Sequence, residues 1–402
     1  MADQKRILIF VHDGRGLGHL RRLSRLAERL QGAASVLFVT GHRDASYMVP
    51  KGCEYVHIPS LDSIDHRKSR HWGRPPFLEN DIARGRAIRK DILASCMRTF
   101  QPNGFISDYL PLGMDHELVP LLNSSPECRK YFVVRGILGD AKALHLSVFT
   151  PPAVVALREH YDMIIATCDE RIVDIAGEYS FSPELVNKLV YTGYAVEPYN
   201  AEACAAVRSD RLLPEGAIWV VCSSGGGKDG EDLVQRCWEL ALYFPECYFD
   251  LIIGPRSRLS LLQEGWYGGT RIRVRQTDEA TMPYRLGGAD VVICRGGYNS
   301  LMEAAVGNAH ILVAPISTDY EQVNHARRLS AFRPFHMVDD IEDLDEALEH
   351  VLTLPKDPHR LADLRLDGLT TSARLILADL AQAAGSLPLY QTSIRNQERS
   401  LQ

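Results

Sequence analysis

The 402-residue sequence lacks the long apolar run of a membrane-spanning helix, which needs about 18 or more apolar residues in succession. The apolar stretch nearest its beginning, residues 7–11, is shorter than the apolar core of a signal peptide, and no small-residue cleavage site follows it. We therefore expect a cytoplasmic protein whose contact with a membrane is at most peripheral.

Paired cysteines and an excess of basic residues are also missing. The nine cysteines are scattered and include no Cys-x-x-Cys pair, which argues against a disulfide framework and against a zinc site. The 45 Lys and Arg residues are outnumbered by 51 Asp and Glu residues, and the net charge is −6. Proteins dedicated to nucleic-acid binding are usually basic, so we expect no nucleic-acid partner.

The chain instead alternates short apolar runs with amphipathic stretches, in two series. Such alternation is typical of parallel sheets covered on both faces by helices. At about 150 residues per domain, the length also favours two domains. We expect an α/β protein with two doubly wound, Rossmann-like domains that face each other across a cleft. The predicted strands are residues 7–11, 36–39, 104–107, 131–134 and 163–166, then 218–222, 248–253, 272–274, 291–294 and 311–314.

The segment LVYTGYAVEPYN, which contains Gly193 and Pro198, separates the two series and is interpreted as the linker. We place an acceptor-binding domain at 1–194 and a donor-binding domain at 195–375. The remainder, 376–402, is expected to be a C-terminal helix or tail that is either mobile or folded back on the first domain.

A glycine-rich loop from His12 to His19 follows the first predicted strand and precedes a helix. Its Gly-x-Gly-x-Gly spacing departs from the dinucleotide fingerprint, and no acidic residue ends the second strand, so a dinucleotide-dependent oxidoreductase is disfavoured. A neutral imidazole near a helix N-terminus suits a general base, which makes His19 the candidate. The alternative is that His19 only caps the helix or packs against it. Asp108, in ISDYLPLG, also follows a strand and is expected to face the cleft.

The loop from Cys222 to Gly230 is rich in glycine and contains Lys228. Cys222 and Asp229 break the P-loop signature. Open backbone amides and a cation at a helix N-terminus remain suited to binding an anion. The alternative is a flexible turn.

The stretch ADVVICRGGYNSLMEA takes a strand through a Gly-Gly turn into a helix that Asn299 or Ser300 can cap. Amides at such a turn suit a phosphate. Glu303 either accepts hydrogen bonds from a ribose or completes a local capping box. After the next strand, Asp319, Glu321 and Gln322 either bind sugar hydroxyls or form a solvated helix start.

These motifs resemble those of glycosyltransferases with the GT-B fold, in particular family 28 and a related group of predicted bacterial glycosyltransferases. GRGLGH is similar to the family's N-terminal glycine loop with its histidine, and ADVVICRGGYNSLMEA to its donor-domain signature. The resemblance covers residues 5–329. Family 28 includes the N-acetylglucosaminyltransferase that makes lipid II of the cell wall.

The resemblance implies an inverting transfer of a sugar, N-acetylglucosamine or a related hexose, from a UDP-sugar. The acceptor would be a small molecule, lipid-linked or carrier-bound, in natural-product or cell-envelope biosynthesis. The UDP-sugar is a co-substrate, and no cofactor is implied. The loop from Ser223 to Gly230 and His325 depart from the lipid II enzyme's pattern, which argues against lipid I as the acceptor. Donor sugar and oligomeric state stay open.

The expected site combines the family's roles with the positions of the loops. His19 is the expected catalytic base, and Asp108 is expected to orient either the acceptor or His19. The donor-binding candidates are Gly18, Ser224, Gly225, Gly226, Gly227, Lys228, Arg256, Thr281, Met282, Arg295, Gly296, Gly297, Asn299, Ser300, Glu303, Asp319, Glu321 and Gln322. The acceptor-binding candidates are Asp13, Arg15, Arg135, and Arg70 and Trp72 in the basic loop 66–74.

We expect no metal in the reaction. The one Asp-x-Asp, Asp343-Leu344-Asp345, lies in an acidic helix start and is interpreted as a solvated helix face. Helix N-termini, Lys228 and Arg256 or Arg295 would instead stabilise the leaving diphosphate.

Two other functions use the same donor loops. A nucleotide-sugar 2-epimerase or hydrolase would need no acceptor. A non-catalytic sugar-nucleotide-binding subunit would need a partner protein.

Overall fold

The computed structural model describes residues 4–12, 17–42, 45–60, 81–225, 230–254, 263–278, 280–332, 334–355 and 364–383. Within these residues the chain forms two seven-stranded sheets with helices on their faces. The strands of the first sheet are β1 Lys5–Val11, β2 Ala34–Thr40, β3 Glu54–His57, β4 Gly104–Asp108, β5 Arg129–Arg135, β6 Met163–Thr167 and β7 Leu189–Tyr191. Those of the second are β8 Ile218–Ser223, β9 Cys247–Ile253, β10 Gly265–Tyr267, β11 Ile272–Gln276, β12 Val291–Cys294, β13 His310–Val313 and β14 Phe335–Met337.

The strand order is β3-β2-β1-β4-β5-β6-β7 in the first sheet and β10-β11-β9-β8-β12-β13-β14 in the second. Every neighbouring pair is parallel except β10 with β11. The expected α/β class with two Rossmann-like sheets is therefore confirmed.

Helices connect the strands and cover both faces of each sheet. In the first half they are α1 Gly18–Leu30, α2 Ala45–Met48, α3 Ile82–Phe100, α4 Val119–Ser124, α5 Ala141–Ser147, α6 Pro151–Glu159, α7 Ile175–Glu178 and α8 Pro183–Val186. In the second half they are α9 Ala201–Asp210, α10 Glu231–Tyr243, α11 Met282–Gly288, α12 Tyr298–Ala305, α13 Tyr320–Leu329, α14 Leu344–Thr353 and α15 Gly368–Ala383, with a 3₁₀ turn at Ile341–Asp343.

All the predicted strands are present, whereas β3, β7, β10 and β14 were not predicted. These four are the edge strands of the two sheets. An edge strand is short and partly exposed, so it does not carry the continuous apolar run of a central parallel strand. In β3, for example, three of the four side chains are exposed. Strand β7 falls inside the segment that the sequence assigned to the linker.

Helix α15 returns to the first sheet and packs beside α1. Arg129 on β5 donates to Asp379 at 2.7 and 2.8 Å, and the hydroxyl of Tyr131 donates to the same carboxylate at 2.7 Å. The helix begins at Gly368, whereas the sequence placed the start of a separate C-terminal segment at 376. Residue 376 therefore lies in the middle of α15, whose contacts with the linker already begin at Gly368.

Two glycines let the linker and the start of α15 touch. Gly193 has φ +87°, and a Cβ on Gly368 would lie 2.1 Å from the Gly193 carbonyl oxygen. The amide of Gly368 donates to Tyr194 O at 3.0 Å, and the amide of Tyr194 donates to Arg365 O at 2.7 Å. Only a residue without a side chain fits this approach.

A continuous apolar core joins the two sheets. It contains Phe132 on β5, Tyr194 in the linker, and Tyr298 and Leu301 on α12. The halves are thus packed on each other at the linker. In the part of the chain that the structure describes, no helix is long and apolar enough to cross a membrane.

We expect Ile376→Ala to lower the free energy of unfolding of the first domain by about 2 to 5 kcal/mol. Ile376 on α15 is fully buried against the first sheet, so truncation leaves a cavity. Denaturant unfolding measures the change. The exposed neighbour Arg374 is the control, and Arg374→Ala should change stability by less than about 0.5 kcal/mol. Equal effects of the two substitutions would show that α15 does not stabilise that domain.

Candidate active site

The carboxyl ends of the central strands define the site. The order in which strands are added to the sheet reverses between β1 and β4 in the first sheet and between β8 and β12 in the second. In open parallel sheets, ligands bind in the crevice at this switch point. His12 follows β1, Asp108 ends β4, Ser224 follows β8 and Arg295 follows β12, so the topology brings these residues to the two facing edges.

His19, Asp108 and Arg22 form a buried cluster at the first edge. His19 and Arg22 lie three residues apart at the start of α1 and therefore share one face of the helix. Nδ1 of His19 is 2.6 Å from Oδ2 of Asp108, and Nη2 of Arg22 donates to Oδ1 at 2.7 Å. The two predicted catalytic residues are thus in contact, and each carboxylate oxygen of Asp108 has a partner.

The charges of this cluster follow from its burial. Burial lowers the pKa of His19 to about 4, although Asp108 acts in the opposite direction. Burial alone would raise the pKa of Asp108, but Arg22 and His19 outweigh that effect and hold the pKa well below its usual range. At neutral pH the imidazole is therefore neutral and the carboxylate ionised. An ionised carboxylate only accepts, so Nδ1 of His19 carries the proton and Nε2 is left to accept one.

Sequence reasoning missed His12, Tyr109 and Arg22 as members of this cluster. The ring of His12 lies 4.3 Å from that of His19 and stacks on Tyr109 at 5.3 Å, centroid to centroid. Burial, followed by the charge of His19, keeps the pKa of His12 well below its ordinary value. Tyr109 has φ +67°, an uncommon conformation for a residue other than glycine. Their positions could have indicated two of them, because His12 directly follows β1 and Tyr109 directly follows β4.

Arg135, predicted to bind the acceptor, connects the two domains across the crevice. Its Nη2 donates to Oε2 of Glu321 at 2.5 Å, and its guanidinium carbon lies 6.0 Å from the ring centre of Tyr109. Burial raises the pKa of Glu321, and Arg135 partly offsets this. Glu321, a predicted donor-sugar residue, is therefore placed opposite His19 and its neighbours.

His12, His19 and Asp108 also have the donor types of a metal site. Their ligand atoms lie within 4.8 Å of one another, and no other such group occurs in the described part of the chain. Arg22, however, already binds Oδ1 of Asp108, and its fixed positive charge opposes a cation at the same carboxylate. The cluster fits a neutral base with an ionised partner better than it fits a metal ion.

The donor side begins with two glycine turns. Gly225 has φ +74° and Gly296 has φ +89°, so both turns need the left-handed conformation that glycine adopts readily. Gly297 is the N-cap of α12 and makes no side-chain capping bond. The expectation that Asn299 or Ser300 caps this helix is wrong, because both lie in its first turn.

The first turn of α12 faces the first turn of α1. A Cβ on Gly18 would lie 3.5 Å from Nδ2 of Asn299. Because the N-terminal amides of a helix have no partner within it, the two helix starts can offer donors to one anion between them.

Glu303 is fully buried on α12 and pairs with α1 of the other domain. Its Oε1 accepts from Nη1 of Arg25 at 2.7 Å and lies 3.1 Å from Nη2 of Arg21. The carboxylate does not turn back to the N-cap amide of its own helix, so the capping-box alternative is wrong. The two arginines were not predicted as site residues, although they share a helix face by their spacing.

Other donor candidates make local contacts. Asp319 is the N-cap of α13, accepts from the amide of Gln322 at 3.0 Å, and also accepts from its side chain at 3.2 Å. Arg295 donates to Ala314 O at 3.1 Å and pairs with Asp232. Its guanidinium is therefore engaged within the second domain.

The segment 278–282, which contains the donor candidates Thr281 and Met282, is compact. The hydroxyl of Thr281 donates to Asp278 at 2.8 Å, and Met282 is buried at the start of α11. Several predicted residues lie outside the described residues. They are Gly226, Gly227, Lys228 and Arg256 on the donor side, and Asp13, Arg15, Arg70 and Trp72 on the acceptor side.

Comparisons with known proteins find glycosyltransferases. Residues 220–363 match the C-terminal domain of glycosyltransferase family 28. A protein described as an uncharacterized glycosyltransferase of Methanosarcina acetivorans is 25% identical over 94% of this chain and 100% of its own. A second such protein, from Methanosarcina mazei, is 24% identical over 80% of this chain and 82% of its own.

Solved structures show the same fold at low identity. The kitacinnamycin glycosyltransferase has a TM-score of 0.65 at 16% identity and covers 94% of this chain and 100% of its own. The calicheamicin glycosyltransferase CalG4 has a TM-score of 0.62 at 14% identity and covers 96% of this chain and 100% of its own. The match of the second domain to family 28, the two relatives and the shared architecture show a glycosyltransferase with the GT-B fold, whose second domain is similar to that of family 28.

Proposed function

We propose that the chain transfers a hexose, with inversion and without a metal, from a UDP-sugar to a hydroxyl of a small-molecule, lipid-linked or carrier-bound acceptor. The observation that carries the proposal is the buried contact between neutral His19 and ionised Asp108 at the mouth of the crevice. A neutral imidazole whose other nitrogen is held by a carboxylate is the arrangement of an oriented general base.

In the proposed reaction the acceptor oxygen attacks the anomeric carbon of the donor sugar and loses its proton to Nε2 of His19. The bond from the anomeric carbon to the diphosphate oxygen breaks, and the nucleoside diphosphate leaves with the bonding electrons. Asp108 stabilises the imidazolium that forms. The N-terminal amides of α12, behind the Gly296-Gly297 turn, are placed to stabilise the leaving charge.

On the donor side, Glu303 would accept hydrogen bonds from the ribose and Glu321 would contact the donor sugar. The buried position of Glu303 on α12 and the position of Glu321 across the crevice from His19 support these roles. The cytoplasm is the compartment we propose, since nucleotide sugars would be supplied there.

We expect His19→Ala to lower kcat with a UDP-sugar by about 10²- to 10⁴-fold, because the acceptor proton then has no positioned base. Initial rates with a defined donor measure the change. His145 on α5 is exposed, and His145→Ala is the matched control that should keep wild-type turnover. Near-normal turnover of His19→Ala would remove His19 as the base.

The pH profile provides an independent test of the same pair. With the pKa of His19 lowered to about 4, kcat/KM should stay level through neutral pH and fall only as the pH approaches that value, since protonated His19 cannot accept a proton. In Asp108→Asn the anion that raises the His19 pKa is absent. The acidic limb should then move to lower pH while the plateau falls. An acidic limb near pH 6.5 in the wild type would contradict the buried, neutral base.

Thermal shift across nucleotide diphosphates and their sugars tests the donor. A ligand at about 100 times its Kd stabilises the native state by about 2.7 kcal/mol, so one UDP-sugar should raise the melting temperature more than its GDP and TDP counterparts do. No shift with any UDP compound would reject the proposed donor. Release of free or epimerised sugar from donor alone would instead support the hydrolase or epimerase.

A further inference from the structure

Three arginines on one face of α1 reach out of the first domain. Arg21, Arg25 and Arg29 are spaced four residues apart, which aligns their side chains along the helix. Arg21 and Arg25 contact Glu303 on α12, and Arg29 pairs with Glu197 in the linker. This arginine stripe therefore pairs with carboxylates that all lie beyond the first domain.

The two oxygens of Glu303 are in different situations. Both arginine contacts go to Oε1, at 2.7 Å for Arg25 and 3.1 Å for Arg21. Oε2 is buried and has no hydrogen-bond partner among the described residues. A buried carboxylate oxygen normally has a partner, so Oε2 is an acceptor that a ligand hydroxyl can satisfy.

A recess lies beside this carboxylate. It is lined by Glu303, by Glu197 and Asn200 of the linker, and by Pro283 and Tyr284 of α11. The recess is therefore built from the second domain and the linker, while the groups that orient its buried carboxylate come from the first domain.

We propose that Arg21 and Arg25 are positioning residues for the donor: they hold Glu303 by Oε1 so that Oε2 faces a ribose hydroxyl. The inference rests on the proposed function, because it takes Glu303 as the ribose acceptor. The arginines belong to α1 and the carboxylate to α12, so the ribose site is complete only when the two domains are closed. Donor binding and domain closure are then one coupled event.

The coupling has a thermodynamic consequence. A ligand shifts a conformational equilibrium only by its differential affinity for the two states. In the open state Glu303 lacks both arginines and is free to rotate, and it binds ribose less well. The donor therefore favours closure, which also brings His19 towards the reacting carbon.

The decisive experiment is UDP affinity of Arg25→Gln measured by titration calorimetry. A lost charge-assisted hydrogen bond to a carboxylate corresponds to a Kd about 10- to 100-fold higher, and the KM for the donor should rise in parallel, while kcat at saturating donor changes little. Arg25→Lys keeps a cation and should recover part of the affinity.

Arg158→Gln is the control, because it removes an exposed ion pair with Glu159 on α6 and touches neither Glu303 nor the recess. It should leave the UDP Kd near the wild-type value. In a Glu303→Gln background, Arg25→Gln should have little further effect on Kd, since the two substitutions remove the same interaction. Melting temperatures of Arg25→Gln and Arg158→Gln, compared side by side, separate loss of binding from loss of folding.

The outcomes distinguish the inference from the function on which it rests. Wild-type protein that binds no nucleoside diphosphate would reject both. Wild-type binding with an unchanged Kd in Arg25→Gln would reject the positioning role alone. Tighter binding by Arg25→Gln would also overturn it, because the arginines would then compete with ribose for Glu303.

Discussion

The carboxylate of Asp108 is fully enclosed at the end of β4, and the site is organised around the need to satisfy it. Its two oxygens are held by His19 and Arg22, both from the first turns of α1. A buried carboxylate is tolerated only when it is paired and hydrogen-bonded. The same contacts fix the position of α1 over the sheet and set the tautomer of His19, whose imidazole is kept neutral by burial.

Helix α1 then connects the pair of His19 and Asp108 with the second domain. One part of its surface presents His19 and Arg22 to the first sheet, and another presents the arginine stripe to α12 and the linker. Across the crevice, Arg135 and Glu321 form a second connection between the domains. The domains thus meet through charged pairs and through an apolar junction at Tyr194 and Tyr298.

The sequence predicted the central strands, the two-domain class, and a histidine and an aspartate near the strand ends as catalytic candidates. Those features depend on local composition: apolar runs of strand length, glycines at turns and polar residues at strand ends. It did not predict the edge strands, because they bury little, or the start of α15 at Gly368, because its docking depends on Gly193 far away in sequence. It also assigned α12 the wrong N-cap, since capping is decided by backbone geometry at Gly297.

What the sequence determined by itself is the order of elements and the identity of the groups at the strand ends, since both follow from short-range pattern. Only the tertiary structure decided which of those groups meet. Asp108 contacts His19 and Tyr109 stacks on His12 because β1 and β4 are neighbours in the sheet. Glu303 meets Arg21 and Arg25 because the domains pack face to face. Contacts between residues hundreds of positions apart have no local signal, since they arise from the packing of whole elements.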